Sequence, residues 1–277
     1  MSFNSKQNNN LPINVVEKVD DAYLSALILC FSRIFPAILN AAVDLNLFDI
    51  IAKLQNSSGN NNSSFSASEI AYELPNQHAE LAERLERMLN VLASNSLLNC
   101  SIRTNEDGKR ERVFGLSSIG QYFAFDKDGG SLGPLSTLIH RGCSSVWGNV
   151  KDAILDPNVK NLFQSINGTS FYQYTKTNNE LNDITNKAMA HGGPLEIKRV
   201  LKLYKGFEGL STLVDVGGGI GETLKVIISQ YPSIKGINFD LQQVIQDAPS
   251  HPGIEHVGGD MFESVPTGDA ILLKVTF

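Results

Sequence analysis

The sequence predicts an α/β protein in two parts, a mostly helical N-terminal half followed by a parallel, doubly wound sheet that begins near residue 211. Three observations carry this. Residues 20–54 repeat apolar side chains every three or four positions, the period of a helix. Around Asp107-Gly108, two short runs flank a tight-turn dipeptide, as in a hairpin. From Leu213 onward, short apolar strands alternate with helical stretches, as crossover helices on a parallel sheet require.

Bulk properties narrow the classes. The 277 residues are 42% hydrophobic, enough for one large core or two modest ones. A formal net charge of -6 argues against general affinity for nucleic acid or anionic membrane. No stretch approaches the roughly 18 apolar residues of a membrane helix. Residues 1–17 are polar, lack the apolar core of a signal peptide and read as a disordered tail. Cys30, Cys100 and Cys143 have no metal-like spacing, and Cys30, in an apolar helical run, is expected in the core. No metal is expected, and the expected location is cytoplasmic.

In chain order, the run "AYLSALILCFSRIFPAILNAAVDLNLFDIIAKL" is broadly apolar and should kink or divide at Pro36. Its excess hydrophobicity predicts burial against a second subunit. "QNSSGNNNSSFSAS" reads as a flexible polar loop. Ser66 and Glu69 have the spacing of a capping box. The next helix places Leu81, Leu85, Met88, Leu89 and Leu92 on one side, and the Asp107-Gly108 hairpin follows. Three helices and a β-wing are the order of a winged helix. The second amphipathic helix, however, carries Glu80, Glu83 and Glu86 against Arg84 and Arg87, which disfavours groove reading and favours dimerisation. Residues 126–210 read as an irregular helical connector, placed to wall a substrate pocket. The expected division is 1–17 tail, 18–125 dimerisation domain, 126–210 pocket segment and 211–277 sheet.

The turn in "LVDVGGGIGETLK" poses the chemical question. A phosphate loop needs Lys and Ser/Thr after the last glycine, and Gly221 is followed by Glu222. A dinucleotide fingerprint fits Gly217 and Gly219 but fails at Glu222, whose charge would oppose a pyrophosphate. An acid two residues before the first glycine suits a cationic ligand instead. Asp215 then faces the amino acid end of S-adenosylmethionine, directly or through water. Asp240 and Asp260 end the second and third strands, placed for ribose and adenine, with Met261 to pack on the ring. The competing reading is that strand-ending aspartates cap the helices after them.

With "FPAILNAAVDLNLFDIIAK", "IKGINFDLQQVIQDAP" and "GIEHVGGDMFESVPTGDAILLK", the sequence resembles the plant small-molecule O-methyltransferases. These caffeic-acid-type enzymes act on phenylpropanoids and flavonoids, and the wording is most similar to the legume chalcone (isoliquiritigenin) 2'-O-methyltransferases. The resemblance implies a Rossmann-like sheet that binds S-adenosyl-L-methionine, an N-terminal winged-helix domain that makes a homodimer, and a phenolic small-molecule substrate. It places cofactor contacts on Gly217, Asp240, Asp260, Met261 and Lys274, and acceptor packing on Met189. It also marks His191 and Gly193 as departures, standing where the family often has small or hydroxylated residues. The family's general-base histidine shortly follows the lysine ending the fourth strand. Here "ILLKVTF" reaches Phe277 first, so no catalytic residue is assigned. The expectation is a C-terminally truncated, inactive enzyme whose sheet ends after its fourth strand. The alternative is a non-catalytic subunit pairing with a full-length relative. His78, His140, His191, His251 and His256 are expected to serve surface or packing roles.

Overall fold

The structure is a computed structural model, and it describes residues 21–60, 62–246 and 248–274. The tail expected at 1–17 lies outside these residues. The opening apolar run forms three helices, α1 (Asp21–Cys30), α2 (Ile34–Asp44) and α3 (Leu47–Ser57). The first break falls at Phe31–Arg33 with a 50° bend. Pro36 sits in the first turn of α2, where its missing N–H leaves no helical bond unmade. The second break was not legible as a Pro or Gly. It is Asn46, held in the left-handed conformation at φ 54°.

The polar stretch after α3 is more ordered than its composition predicts. Buried Gln55 donates from Nε2 to Ser63 O at 2.9 Å. Strand β1 (Phe65–Ser66) then pairs antiparallel with β3 (Arg110–Leu116), which also pairs with β2 (Leu98–Thr104). The capping box forms at the start of α4 (Ala67–Tyr72). Glu69 N–H donates to Ser66 Oγ at 3.3 Å, and Ser66 N–H donates to the Glu69 carboxylate at 2.6 Å. Helix α5 (Leu81–Ser94) buries Leu85, Leu89 and Leu92 against Phe48, Ile51, Ile70 and Phe114. Its charges are spent on surface ion pairs, Arg84–Glu80, Arg87–Glu83 and Arg112–Glu86.

Helix α1 stays outside this core. Leu29 is 72% exposed and Ile28 61%, and Cys30 is exposed rather than buried as expected. The bend carries α1 away from the packed helices, so periodicity identified an apolar helix that lies outside the N-terminal core cluster. Among the described residues, no single helix is long and apolar enough to cross a membrane.

The connector contains α6 (Gly133–Thr137), a π-helical turn (Leu138–Gly142), α7 (Ser144–Trp147), α8 (Val150–Leu155), α9 (Leu162–Asn167) and α10 (Phe171–Thr177). It ends in α11 (Asn179–Leu203), which runs unbroken through Gly192-Gly193-Pro194. The sheet comprises β4 (Thr212–Val216), β5 (Lys235–Asp240), β6 (Ile254–Gly258) and β7 (Ala270–Leu273), all parallel in the order β6-β5-β4-β7. Helix α12 (Glu222–Gln230) joins β4 to β5. The helix expected from "LQQVIQDA" is only one turn, α13 (Gln242–Ile245). On one face Leu213, Leu224, Ile227 and Ile234 pack with Ile197 and Leu201 of α11. On the other, Val214, Val216, Ile237 and Phe239 pack with Met261. Among the described residues β4 is flanked on both sides, and β6 and β7 are the edges, with Ile271 51% and Leu273 53% exposed on β7.

Candidate functional site

Parallel strands bring their carboxyl ends to one rim of a sheet, where ligands of such folds bind. Here that rim carries the glycine turn after β4, Asp240 at the end of β5, Asp260 beyond β6 and Lys274 after β7. Gly217, Gly219 and Gly221 all have positive φ (72°, 61° and 90°), a conformation that side chains strain against. Gly218 is needed for space. A Cβ there would stand 2.1 Å from Asn238 Oδ1 and 2.9 Å from Asp215 Oδ2.

The turn is anchored from the next strand. Gly217 N–H donates to Phe239 O at 2.8 Å, and Gly219 N–H donates to Asp240 Oδ2 at 2.8 Å. Asp240 Oδ1 accepts from Leu241 N–H at 2.7 Å. Asp240 therefore also braces the turn that its position in the sequence suggested it would merely face. Asp260 is exposed, and its Oδ1 accepts from Phe262 N–H at 2.9 Å within a turn, with no helix among the described residues between β6 and β7 for it to cap. Met261 is partly buried against the Val214–Phe239 cluster.

Asp215 is the unusual member. It is 2% exposed, and its Oδ2 has no hydrogen-bond partner. Burial pushes its carboxyl up to about 7; Lys274 opposes this shift and Asp240 adds to it. Asn238 Oδ1 is a second buried oxygen without a partner, converging with Asp215 Oδ2 on the space beneath Gly218.

Helix α11 closes the rim on one side. A Cβ on Gly193 would lie 2.9 Å from Lys274 Nζ, and Lys274 also pairs with Glu196 at 3.7 Å. Met189 precedes Gly193 by one helical turn, so it shares this face, and it is 45% exposed. His191 does not share it. Its Nδ1 lies 2.7 Å from Gly129 O, and its ring meets Phe125 edge-on, on the opposite side of α11. Of the two departures noted in the sequence, only Gly193 is at the rim. A cleft of about 450 Å³ between the connector and the N-terminal helices also lies on the His191 side, lined by Asp44, Asp49, Phe125, Arg141, Asp183 and Lys187. The cavity and Met189 thus occupy opposite faces of one helix.

Two residues escaped the sequence reading of this site. Asn238 was not singled out, and His256 was assigned a packing or surface role. The strand registers place Asp215, Asn238 and His256 in one row across β4, β5 and β6. A polar residue interrupting each of three apolar strands at matching positions was the available signal.

Comparison with known proteins agrees with this architecture. Residues 147–277 match the O-methyltransferase domain, and residues 27–126 match the O-methyltransferase dimerisation domain. The chain is 46% identical over 252 residues to catechol O-methyltransferase 1 of Solanum lycopersicum, covering 90% of this chain and 66% of that protein. It is 43% identical over 256 residues to caffeic acid 3-O-methyltransferase 1 of Populus tremuloides, covering 92% and 68%. The chain thus spans about two thirds of the length of these relatives. Human N-acetylserotonin methyltransferase in complex with SAM shares the fold, with TM-score 0.73 at 18% identity over 95% of this chain and 73% of that one. The calicheamicin-biosynthesis methyltransferase CalO1, in its SAH-bound form, does so with TM-score 0.68 at 20% identity, over 91% and 69%. With both domains matched and identity above 40% along most of its length, this chain belongs to the O-methyltransferase family.

Proposed function

We propose that the rim binds S-adenosylmethionine and that the protein serves methyl transfer to a phenolic hydroxyl of a phenylpropanoid or flavonoid. One observation carries the cofactor reading: a buried carboxylate without a partner, Asp215, beneath a turn of left-handed glycines. Such a group suits a cationic amino acid end, which would supply the missing partner. Side-chain-free backbone allows close approach. In this reading Gly217 and Asp240 hold the amino acid and ribose parts, Asp260 and Met261 the adenine, and Lys274 lies at the β7 end. When bound, the cofactor would supply a sulfonium methyl group.

What the chain's own residues contribute is placement. Asp240, tied to Gly219, fixes the turn. Met189, one turn from Gly193, offers an apolar, polarizable side chain for an aromatic acceptor on the Lys274 side of α11. A phenol has a pKa near ~10, like tyrosine, so its proton must leave as the oxygen attacks carbon and the carbon–sulfur bond breaks. No described side chain is assigned that proton. For the division at 125 the support is the N-terminal apolar cluster, which ends at Ala124. Residue 17 lies outside the described residues, and at 210 Ile197, Leu201 and Phe207 pack across the boundary with Leu213 and Leu224.

Two measurements test this. Isothermal titration with S-adenosylhomocysteine should give saturable binding, and no heat at high ligand overturns the cofactor reading. Titration with caffeate and chalcone acceptors in the presence of S-adenosylhomocysteine decides between phenylpropanoid and flavonoid, and binding of neither overturns the acceptor class. A second reading, a non-catalytic subunit that pairs with a relative, is favoured by the exposed apolar side chains Ile28, Leu29 and Phe31. Light scattering on mixtures with a full-length relative tests it, and separate species at every ratio end it.

A further inference from the structure

Beneath the glycine turn a chain of polar groups runs across the strands from β5 to β6 at the edge of the sheet. Asn238 is fully buried and donates from Nδ2 to Gly219 O at 2.8 Å. The same Nδ2 lies 3.1 Å from His256 Nδ1, and His256 Nε2 lies 3.0 Å from Pro249 O. A carbonyl only accepts, so Nε2 must carry the imidazole proton. Nδ1 is then an acceptor and takes the second Asn238 N–H. The glycines fit around this chain. A Cβ at Gly221 would stand 3.2 Å from the His256 ring, and one at Gly218 would stand 2.1 Å from Asn238 Oδ1. The turn thus touches Asn238 and His256 on its inner side and is open to ligand on its outer side.

We propose that Asn238 and His256 are positioning residues for the methyl-donor site, a relay that fixes the Gly219 carbonyl and hence the left-handed conformation of Gly219. Gly219 is gripped twice, its N–H by Asp240 and its C=O by Asn238. His256 sets which way the Asn238 amide faces, because a neutral Nδ1 accepts only from the NH₂ side. This inference rests on the reading that the turn holds the methyl donor, and it adds residues that do not touch it.

The test compares two substitutions that packing and the relay rank in opposite orders. His256→Asn keeps an acceptor near the Nδ1 position but fills less space. His256→Leu fills the space and accepts nothing. Titration with S-adenosylhomocysteine should find His256→Asn within about 3-fold of wild type and His256→Leu and Asn238→Leu weakened at least 10-fold. Amide exchange at Gly219 reads the turn without ligand and should accelerate in the two leucine variants only. Long-range ¹H–¹⁵N spectra should show His256 as the neutral Nε2–H tautomer. Leucine at 256 matching or outranking asparagine, or an Nδ1–H tautomer, overturns the relay. Wild type that ignores the ligand while Gly219 exchange still follows the predicted order overturns the cofactor reading and leaves the relay as a brace of the turn.

Discussion

Replacing Asp215 with Asn separates the cost of a buried charge from its use. Burial lifts this carboxyl from 3.8 to about 7, so the folded chain keeps the proton longer than the unfolded one. The stability that this proton contributes is present in full below about pH 4 and is lost as pH rises through about 7. A rise of about 3 in pKa, at about 1.4 kcal/mol for each, makes the ionised carboxylate cost on the order of 4 kcal/mol at pH 8.5. The amide of the Asp215→Asn variant carries no charge at any of these pH values and adds an N–H beside the unpartnered Asn238 Oδ1. Without ligand, Asp215→Asn should therefore melt higher than wild type at pH 8.5, by up to roughly 8 °C at about 2 °C per kcal/mol, and by only about 3 °C at pH 5, where the unfolded carboxyl is already ionised. With S-adenosylhomocysteine the order should reverse at pH 8.5, since the ligand's amino group pairs with the carboxylate and not with the amide. Thermal unfolding from pH 5 to 8.5, with and without ligand, reads both effects. An equal difference at both ends of that range, or a variant less stable at pH 8.5, would refute the reasoning.

Other substitutions test single elements. Gly218→Ala drives a Cβ into Asn238 and Asp215 and should cost about 1–3 kcal/mol in denaturant melts while abolishing ligand binding. Ser66→Ala removes half of the capping box and should cost about 1 kcal/mol, with titration by S-adenosylhomocysteine unchanged. Gly192→Ala meets nothing within 4 Å and should stabilise α11 by about 0.5–1 kcal/mol, read as a higher melting temperature. Leu29→Glu places a charge on the exposed face of α1 and should shift a dimer toward monomer by light scattering, leaving the melting of α5 and its core unchanged.

What was legible in the sequence was local. The alternation of strands and helices after Leu213, the Ser66–Glu69 box and the Asp107-Gly108 turn each depend on neighbours in the chain, and each formed where expected. The aspartates were located correctly, but their partners were not. That Asp240 grips Gly219 depends on which strand tip lies beside the turn, while Asp260 accepts from Phe262 N–H within its own turn. Cys30 was misread for a related reason: periodicity reports an apolar face but not whether the chain folds back over it. His191 and Met189 lie two residues apart yet look to opposite sides of α11. Only the placement of α11 between the connector and the sheet decides which of them meets the rim.

Helix α11 has a consequence of its own. It is gripped on one side through His191 and Gly129 and on the other through the approach of Gly193 to Lys274. Just after them Pro194 has no N–H, so the Ala190 carbonyl goes without its usual helical donor, and the missing bond spans the turn that carries both holds. One turn of α11 thus ties the connector loop at Gly129 to the end of β7, so a substitution that displaces either hold is felt at the other.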